Sequence, residues 1–156
     1  MSSFSDSETV LVKPDRCPEI QLKADRFLIA TGSYPFRPKN FPFHDPRILD
    51  SDTILTLDVI PESMLVIGGG VIGCEYACMF AALGVRVSIV EKSEKIVGGM
   101  DSEISISLKS RMESAGIKFF MGDSVIKIEC GKIVEVELES GETIQTYAVL
   151  VSSGRS

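Results

Sequence analysis

The stretch Ser63-Met-Leu-Val-Ile-Gly-Gly-Gly-Val-Ile-Gly-Cys-Glu-Tyr-Ala77 decides the fold. An apolar, β-branched run leads into three consecutive glycines, and the helical pattern that follows ends at Gly84. A second apolar run over residues 85–90 closes the unit, and Glu91 stands at its end. Strand, glycine turn, helix and second strand together predict a βαβ unit that binds a dinucleotide, because the G-x-G-x-x-G spacing falls in the structural context that it requires.

The three glycines of this fingerprint are Gly68, Gly70 and Gly73. We expect Gly68 to turn the chain sharply out of the strand, Gly70 to let the backbone approach a pyrophosphate, and Gly73 to let the helix pack closely on the strand. The helix then presents free N–H groups and a partial positive charge to the phosphates. The competing interpretation is a glycine-rich turn without a ligand, and the combination of strand, glycines, helix and acid disfavours it.

The acidic residue at the end of the second strand bears on the choice of nucleotide. Glu91 follows the glycines at roughly the 20-residue spacing of a carboxylate that binds the ribose 2′-hydroxyl. A carboxylate there repels a 2′-phosphate, which favours NAD over NADP. Lys92 and Lys95 lie close by, and either could reach a phosphate, so NADP stays open.

Composition limits the classes of protein. The chain has 156 residues, 44% of them hydrophobic, which suits one globular domain with a substantial core. The net charge of −6 argues against nucleic acid as a partner. No apolar stretch is long enough to span a bilayer and no secretory signal follows Met1, so we expect a cytoplasmic protein that does not bind a membrane.

The cysteines do not predict a metal site. The four are Cys17, Cys74, Cys78 and Cys130; none forms a C-x-x-C pair, and the chain has a single histidine. Cys74 and Cys78 share a face of the predicted helix. We interpret them as two small buried residues rather than as a redox pair, because a disulfide across one helical turn is strained.

Alternating and apolar runs predict the remaining elements. Thr9–Lys13 and Glu19–Lys23 predict a hairpin or meander edge, and Phe27–Ser33 predicts a buried strand that runs into a glycine turn. Five of the seven prolines fall in residues 35–61, which predicts an extended linker. One short helix fits inside the linker at about Asp52–Leu57, with Ser51 or Asp50 as its cap.

The second half of the chain predicts one more helix and five strands. Asp101 can cap a helix that ends at Gly116. Its predicted apolar side consists of Ile104, Leu108, Met112 and Ala115. The predicted strands cover residues 117–121, 124–129, 133–138, 143–146 and 148–151.

This order of elements predicts an α/β fold. We expect a Rossmann-like NAD(P)-binding domain with a central parallel sheet, helices on one face and a three-stranded antiparallel meander on the other. A dinucleotide would lie across the carboxyl ends of the parallel strands.

Several short motifs together resemble a known family. They are Thr31-Gly-Ser33, Asp50-Ser-Asp52, Gly68–Glu75, Glu91, Gly116-Ile-Lys118 and Ser153-Gly-Arg155. The chain resembles the NAD-binding domain of the pyridine nucleotide–disulfide oxidoreductase flavoproteins. Residues 45–52 and 72–77 look most like the soluble transhydrogenase branch, whereas Glu91 and residues 97–99 look more like dihydrolipoamide dehydrogenase.

The resemblance implies a role for each matching residue. For NAD(H) it implies a pyrophosphate site at Gly68, Gly70, Val71 and Ile72, a nicotinamide site at Glu75, Ser153 and Gly154, and an adenine contact at Val125. Gly73, Glu91 and Lys92 complete the expected set of NAD(H)-binding residues. Thr31 and Gly32 match the segment on the FAD side. Glu75 would orient the nicotinamide ring, and no residue of this chain would itself be catalytic.

The resemblance also implies a larger parent. In this family an FAD domain with a C-x4-C disulfide precedes, and a dimerisation domain with a His–Glu pair follows. We therefore expect residues 1–34 to be the end of an FAD domain and residues 35–156 to be the NAD(H)-binding domain of a truncated protein.

The parent is expected to be a homodimer that transfers hydride between NAD(H) and FAD. Its final electron acceptor is open among dihydrolipoamide, glutathione, a metal ion and a second nicotinamide. The chain alone would bind NAD(H) without turnover. Two other interpretations remain: a stand-alone NAD-sensing regulatory module, and a βαβ methyltransferase that binds S-adenosylmethionine.

Overall fold

The computed structural model describes residues 2–155, which divide into two compact units at Gly32. The first unit is a small antiparallel sheet of three strands, β1 (Ser2–Asp6), β2 (Thr9–Val12) and β3 (Ile20–Lys23), paired in that order. The predicted hairpin over β2 and β3 is confirmed. The strand β1 was not predicted, because its sequence Ser-Ser-Phe-Ser-Asp is polar and lacks a β-branched residue.

The predicted buried strand at Phe27–Ser33 is wrong. These residues adopt no regular structure, and the side chains of Leu28 and Ile29 are 91% and 72% exposed. An apolar run forms a strand only where a neighbouring strand accepts its hydrogen bonds, and among residues 2–155 this segment pairs with none. Gly32 at its end has φ +74, a conformation that glycine adopts readily, but residues 26–34 form no turn, so the predicted glycine turn is wrong as well.

The second unit is built on a parallel sheet of five strands. These are β4 (Ile48–Asp50), β5 (Ser63–Ile67), β6 (Arg86–Glu91), β7 (Lys118–Met121) and β11 (Ala148–Val151). Their spatial order is β4-β11-β5-β6-β7. The last strand of the chain therefore lies in the interior of the sheet, where Leu150 pairs with Leu49 on one side and Val66 on the other.

Two α-helices and a meander cover the two faces of this sheet. The helices are α1 (Val71–Ala82) and α2 (Ser102–Ser114). The meander consists of β8 (Val125–Cys130), β9 (Val134–Leu138) and β10 (Thr143–Thr146). The predicted parallel sheet, helices and antiparallel meander are thus confirmed.

The alternation of strand residues assigns each face to one layer. In β5, Met64 and Val66 pack in a core with Phe80 of α1 and Met112 of α2. Leu65 and Ile67 point the other way, into a second core that the meander completes with side chains such as Val136. The strand is buried on both faces, as parallel strands usually are.

The helix α2 packs differently from its predicted apolar side. Met112 is buried and Leu108 half-buried as expected, but Ile104 is 54% exposed and Ala115 is also exposed. The buried position in the first turns belongs to Ser105, whose hydroxyl donates to the backbone oxygen of Ile96 at 2.8 Å. A satisfied hydroxyl costs little to bury, so the helix rotates away from the face that hydropathy alone predicts.

The proline-rich linker is organised by one buried carboxylate. Asp50 is 1% exposed, accepts N–H bonds from Asp52 and Thr53, and pairs with the Arg37 guanidinium at 2.6 Å. Burial alone raises the pKa of Asp50, but these hydrogen bonds outweigh it and lower that pKa below its ordinary value. The predicted short helix appears as one 3₁₀ turn over Thr53–Thr56, with Asp50 holding its start.

Neither helix, nor any other in the described part of the chain, has the length and apolar composition needed to cross a bilayer.

Candidate functional site

A cleft of about 700 Å³ opens at the carboxyl ends of the parallel strands, within the second unit. The last residues of β5, β6 and β11 border it. Most of the predicted nucleotide residues line it, namely Gly68, Gly70, Val71, Ile72, Glu91, Lys92, Val125, Ser153 and Gly154. The structure therefore brings together residues that lie up to 86 positions apart, between Gly68 and Gly154.

The two outer fingerprint glycines are required by packing. Gly68 has φ +106, and a Cβ there would lie 2.7 Å from the backbone oxygen of Ser152. Gly73 is buried, and a Cβ there would lie 2.1 Å from the backbone oxygen of Gly68. No side chain fits at either position, so the close approach of α1 to the end of β5 depends on both.

Gly70 is different, because the protein itself does not require a glycine there. Its φ of −72 and ψ of −178 are allowed for any residue. Apart from its own residue, its two chain neighbours and the backbone of α1, no heavy atom of the described chain lies within 4 Å of a Cβ built on it, and the residue lines the cleft. The absence of a side chain at Gly70 leaves room for a ligand in the cleft to approach the backbone.

The N-terminus of α1 also faces the cleft. Within the described chain, no side chain caps its N-cap residue Gly70, and its first turn carries no acid. By contrast, α2 is capped by the Asp101 carboxylate, which accepts from Glu103 N at 2.8 Å. The N–H groups and positive dipole end of α1 are left for an anion in the cleft.

The Glu91 carboxylate closes the other side of the glycine turn. One of its oxygens accepts from Gly69 N at 2.6 Å, and the other accepts from Ser93 N at 2.7 Å. Each carboxylate oxygen can accept about two hydrogen bonds, so each retains one acceptor position, and Glu91 lines the cleft. Lys92 lines the cleft beside it.

The oxygen of the same Gly69 residue is held as well. It accepts from Val97 N at 2.8 Å and from the Cys74 thiol at 3.4 Å. Val97 has φ +43, a strained conformation for a β-branched residue, and its side chain is buried. Burial and this hydrogen bond hold the strained loop against the glycine turn.

Ser152 is a contact that the sequence did not reveal. Its hydroxyl lies 3.0 Å from the backbone oxygens of both Ile67 and Gly68. Its position is the only signal in the sequence: it directly follows the apolar run of β11, and a strand next to β5 would end beside the glycine turn.

Gly73 and Glu75 do not line the main cleft. Gly73 is buried where α1 meets the end of β5. Glu75 is exposed and lines an adjoining cavity of about 320 Å³, which shares Ser51, Ile72 and Arg155 with the cleft.

Arg155 forms the wall between the two cavities. Its guanidinium donates to the oxygen of Ser33 at 2.9 Å, to the hydroxyl of Ser51 at 3.0 Å and to the carboxylate of Asp52 at 3.2 Å. Tyr76 donates to the backbone oxygen of Ser51 at 3.0 Å. The start of the linker, the 3₁₀ turn and the end of the sheet are therefore joined at one point.

The predicted FAD-side residues Thr31 and Gly32 belong to the first unit. Their role stays a prediction.

The cysteines provide no cluster at the site. Cys74 is 4% exposed, and burial, followed by the charges of nearby groups, raises the pKa of its thiol to about 11. Cys78 is exposed on the same helix, so the interpretation of the two cysteines as buried residues is correct for Cys74 and wrong for Cys78. Within residues 2–155, no group of three or more His, Cys, Asp or Glu side chains is arranged to hold a metal ion.

Comparison with known proteins identifies the family. The family described as "Pyridine nucleotide-disulphide oxidoreductase" matches residues 2–156. The soluble pyridine nucleotide transhydrogenases of Mycobacterium bovis (strain BCG / Pasteur 1173P2) and Stutzerimonas stutzeri (strain A1501) are each 40% identical to the chain, over 97% and 99% of its length. The chain spans about a third of the length of these relatives, 33% and 34%.

Solved structures agree in fold. The HOCl-induced flavoprotein disulfide reductase RclA from Escherichia coli, as its Cu(II) complex, superposes with a TM-score of 0.79 at 25% identity. That match covers 99% of this chain and 35% of the reductase. A water-forming NADH oxidase from Lactobacillus brevis has a TM-score of 0.76 at 16% identity, over 99% of this chain and 37% of the oxidase, and shows the fold alone.

The chain belongs to the pyridine nucleotide-disulphide oxidoreductase family. The family resemblance predicted from the sequence is confirmed, and with it the Rossmann-like fold. Membership implies a pyridine nucleotide and a flavin as the cofactors of the family's chemistry.

Proposed function

We propose that the cleft binds NAD(H), with the pyrophosphate over Gly70 and the N-terminus of α1. The observation that carries this proposal is the bare backbone of Gly70 at an uncapped helix end. A pyrophosphate needs close approach to backbone N–H groups and a positive dipole, and this surface offers both.

Glu91 would bind the adenosine ribose. Both oxygens of its carboxylate are oriented by backbone N–H groups, and each keeps a lone pair for a ribose hydroxyl. A 2′-phosphate at the same point would meet a fixed negative charge, which favours NAD(H) over NADP(H). Val125 would contact the adenine, and Ser153 and Gly154 would contact the nicotinamide end.

The reaction served by this site would be hydride transfer between NAD(H) and FAD. FAD supplies the two-electron acceptor when bound, and this chain's residues bind and orient the nicotinamide. Glu75 would hydrogen-bond the carboxamide and fix which ring face meets the flavin. The 40% identity to soluble pyridine nucleotide transhydrogenases supports a transhydrogenase-like acceptor, a second nicotinamide nucleotide, for the whole protein.

We further propose that these 156 residues bind NAD(H) without turnover. The chain spans 33% of its transhydrogenase relative, and most of the residues that would hold the flavin would lie in the remainder of the whole protein. In the whole protein, a flavin-binding domain and a dimerisation domain would be the partners, and a homodimer the assembly.

Titration of the chain with NADH and NADPH tests the proposed function. We expect NADH to bind more tightly than NADPH when followed by calorimetry. Glu91→Gln removes the charge at nearly constant size, so we expect the Kd for NADH to rise about tenfold and the preference over NADPH to shrink.

The matched control is Glu113→Gln on α2, where the carboxylate pairs with Lys109 away from the cleft. It should leave both Kd values unchanged. The proposal is wrong if NADH does not bind the wild-type chain, or if Glu91→Gln binds both nucleotides as the wild type does.

A further inference from the structure

The peptide between Gly68 and Gly69 is held at both ends by side chains, one from the last residue of β6 and one from the residue that follows β11. Its carbonyl oxygen lies 3.0 Å from the Ser152 hydroxyl, at the end of β11. Its N–H donates to the Glu91 carboxylate at 2.6 Å, at the end of β6. A hydroxyl on one side and a carboxylate on the other therefore fix one peptide plane of the glycine turn.

The Ser152 hydroxyl has one proton, and we assign its hydrogen bond to the backbone oxygen of Gly68 rather than to that of Ile67. The oxygen of Ile67 already accepts from the Ser152 backbone N–H at 2.8 Å. The oxygen of Gly68 has no backbone donor anywhere in residues 2–155. A partly buried carbonyl without a donor costs about 1–3 kcal/mol, so the single hydroxyl proton stabilises the turn most when it is directed at Gly68.

Fixing the oxygen of this peptide also fixes its N–H. The carbonyl and the N–H of a trans peptide point in opposite directions, and the described chain contains no cis peptide. Neither Gly68 nor Gly69 has a side chain to resist rotation of the plane. If the Ser152 hydroxyl is lost, the plane can rotate, and Glu91 loses one of the two backbone N–H groups that orient its carboxylate.

We propose that Ser152 is a positioning residue for nucleotide binding at this cleft. Through the Gly68–Gly69 peptide, its hydroxyl holds the Glu91 carboxylate in the orientation that meets the ribose. We call the contacts of Ser152 and Glu91 with the Gly68–Gly69 peptide the clamp. The effect on nucleotide binding rests on the proposed function, but the clamp itself is a property of the chain without nucleotide.

The ligand-free clamp is tested by NMR on the Gly69 amide. A donor to a carboxylate resonates far downfield and exchanges slowly with solvent. We expect Ser152→Ala to move the Gly69 amide proton upfield and to raise its hydrogen-exchange rate by about tenfold. An unchanged Gly69 signal would overturn the clamp.

The matched control is Thr146→Val. Thr146 is 2% exposed, and its hydroxyl donates to the backbone oxygen of Ala148 at 3.1 Å, at the amino end of β11. This variant also loses a buried hydroxyl bonded to a carbonyl. We expect it to lower the melting temperature while leaving the Gly69 amide and the Kd for NADH unchanged; a Gly69 shift as large as that of Ser152→Ala would make the effect general destabilisation.

The binding consequence is tested by a double-mutant cycle. We expect Ser152→Ala to raise the Kd for NADH about fivefold in the wild-type background. In the Glu91→Gln background it should add nothing, because the group that it positions is already lost. Independent losses that multiply would overturn the inference.

The two proposals fail separately. If the wild-type chain does not bind NADH, the proposed function is wrong, and the Gly69 amide alone decides the clamp. If NADH binds but Ser152→Ala leaves both the amide and the Kd unchanged, the cleft keeps its function and Ser152 is not a positioning residue.

Discussion

At the scale of single residues, the fingerprint glycines have different physical reasons. Gly73 is forced by the backbone oxygen of Gly68, which a Cβ would approach to 2.1 Å, whereas Gly70 meets no atom of the described chain. Glycine at position 73 is therefore required for packing, whereas glycine at position 70 keeps the cleft open. Substitution by alanine separates these two roles.

We predict that Gly70→Ala weakens NADH binding without weakening the fold. Alanine is a poorer N-cap than glycine, but it also lowers the entropy of the unfolded chain, so the free energy of unfolding should stay within about 0.5 kcal/mol. The added methyl group would occupy the approach of the pyrophosphate, and the Kd for NADH should rise at least about tenfold. Urea unfolding and calorimetry measure the two quantities.

Gly73→Ala is the matched variant of this pair and should lower the free energy of unfolding by about 2 kcal/mol or more, because only backbone movement can relieve the clash. If Gly70→Ala proves as destabilising as Gly73→Ala, or binds NADH as the wild type does, the division of roles is wrong.

At the scale of elements, local pattern predicted most of the second unit. Apart from β4, its β-strands and α-helices start or end within about two residues of the predicted positions, because parallel strands buried on both faces leave long apolar runs in the sequence. The strand β4 was not predicted, because its three residues lie inside the proline-rich linker. Asp101 and Gly116 bounded α2 correctly, since a cap and a glycine act locally.

The errors come from interactions that are not local. The run Phe27–Ser33 is apolar enough for a strand, but a strand forms only where a neighbouring strand accepts its hydrogen bonds. The local sequence does not reveal whether such a neighbour is present. Ser152 looks like a loop residue until β11 is placed beside β5. The glycine turn and Glu91 were predictable because the fingerprint is contiguous and has a fixed spacing, whereas the clamp spans residues 68–152.

The buried Asp50 carboxylate in the linker should make the stability of the fold depend on pH. The lowered pKa of Asp50 means that the folded state binds this proton less readily than the unfolded state, whose pKa is near 3.8. Its contribution to stability is therefore complete above that pKa and is lost as the pH falls through the folded value. We expect Asp50→Asn to cost about 2 kcal/mol at pH 6 and less at pH 3, where the unfolded chain is already largely protonated at this residue.

Urea unfolding of both proteins at the two pH values measures this difference. Asp45, whose pKa is also lowered by its pair with Arg47, is present in both proteins and cancels. Asp58→Asn, a position in the same linker, should be neutral throughout, because no hydrogen bond or ion pair of the described chain involves the Asp58 carboxylate as Asp50 does. A cost of Asp50→Asn that is equal at pH 6 and pH 3 would contradict the assignment.

At the scale of the whole molecule, core and cleft belong to one unit. Every residue of the two buried clusters lies between Phe41 and Val151, and every residue that lines the cleft lies between Phe36 and Arg155. The first unit contributes a separate small sheet. All the residues that line the proposed nucleotide site therefore lie within residues 33–155.

We predict that deletion of residues 1–32 leaves a chain that folds and binds NADH within about twofold of the wild-type Kd, because neither core cluster loses a side chain. Deletion of residues 147–156 is the matched comparison. It removes β11, whose four residues are all buried between β4 and β5, and it leaves two strands of a parallel sheet without their common neighbour. That shorter deletion should abolish the cooperative unfolding transition, followed by circular dichroism, together with NADH binding. A chain that tolerates the loss of β11 but not the loss of residues 1–32 would place the folding unit elsewhere.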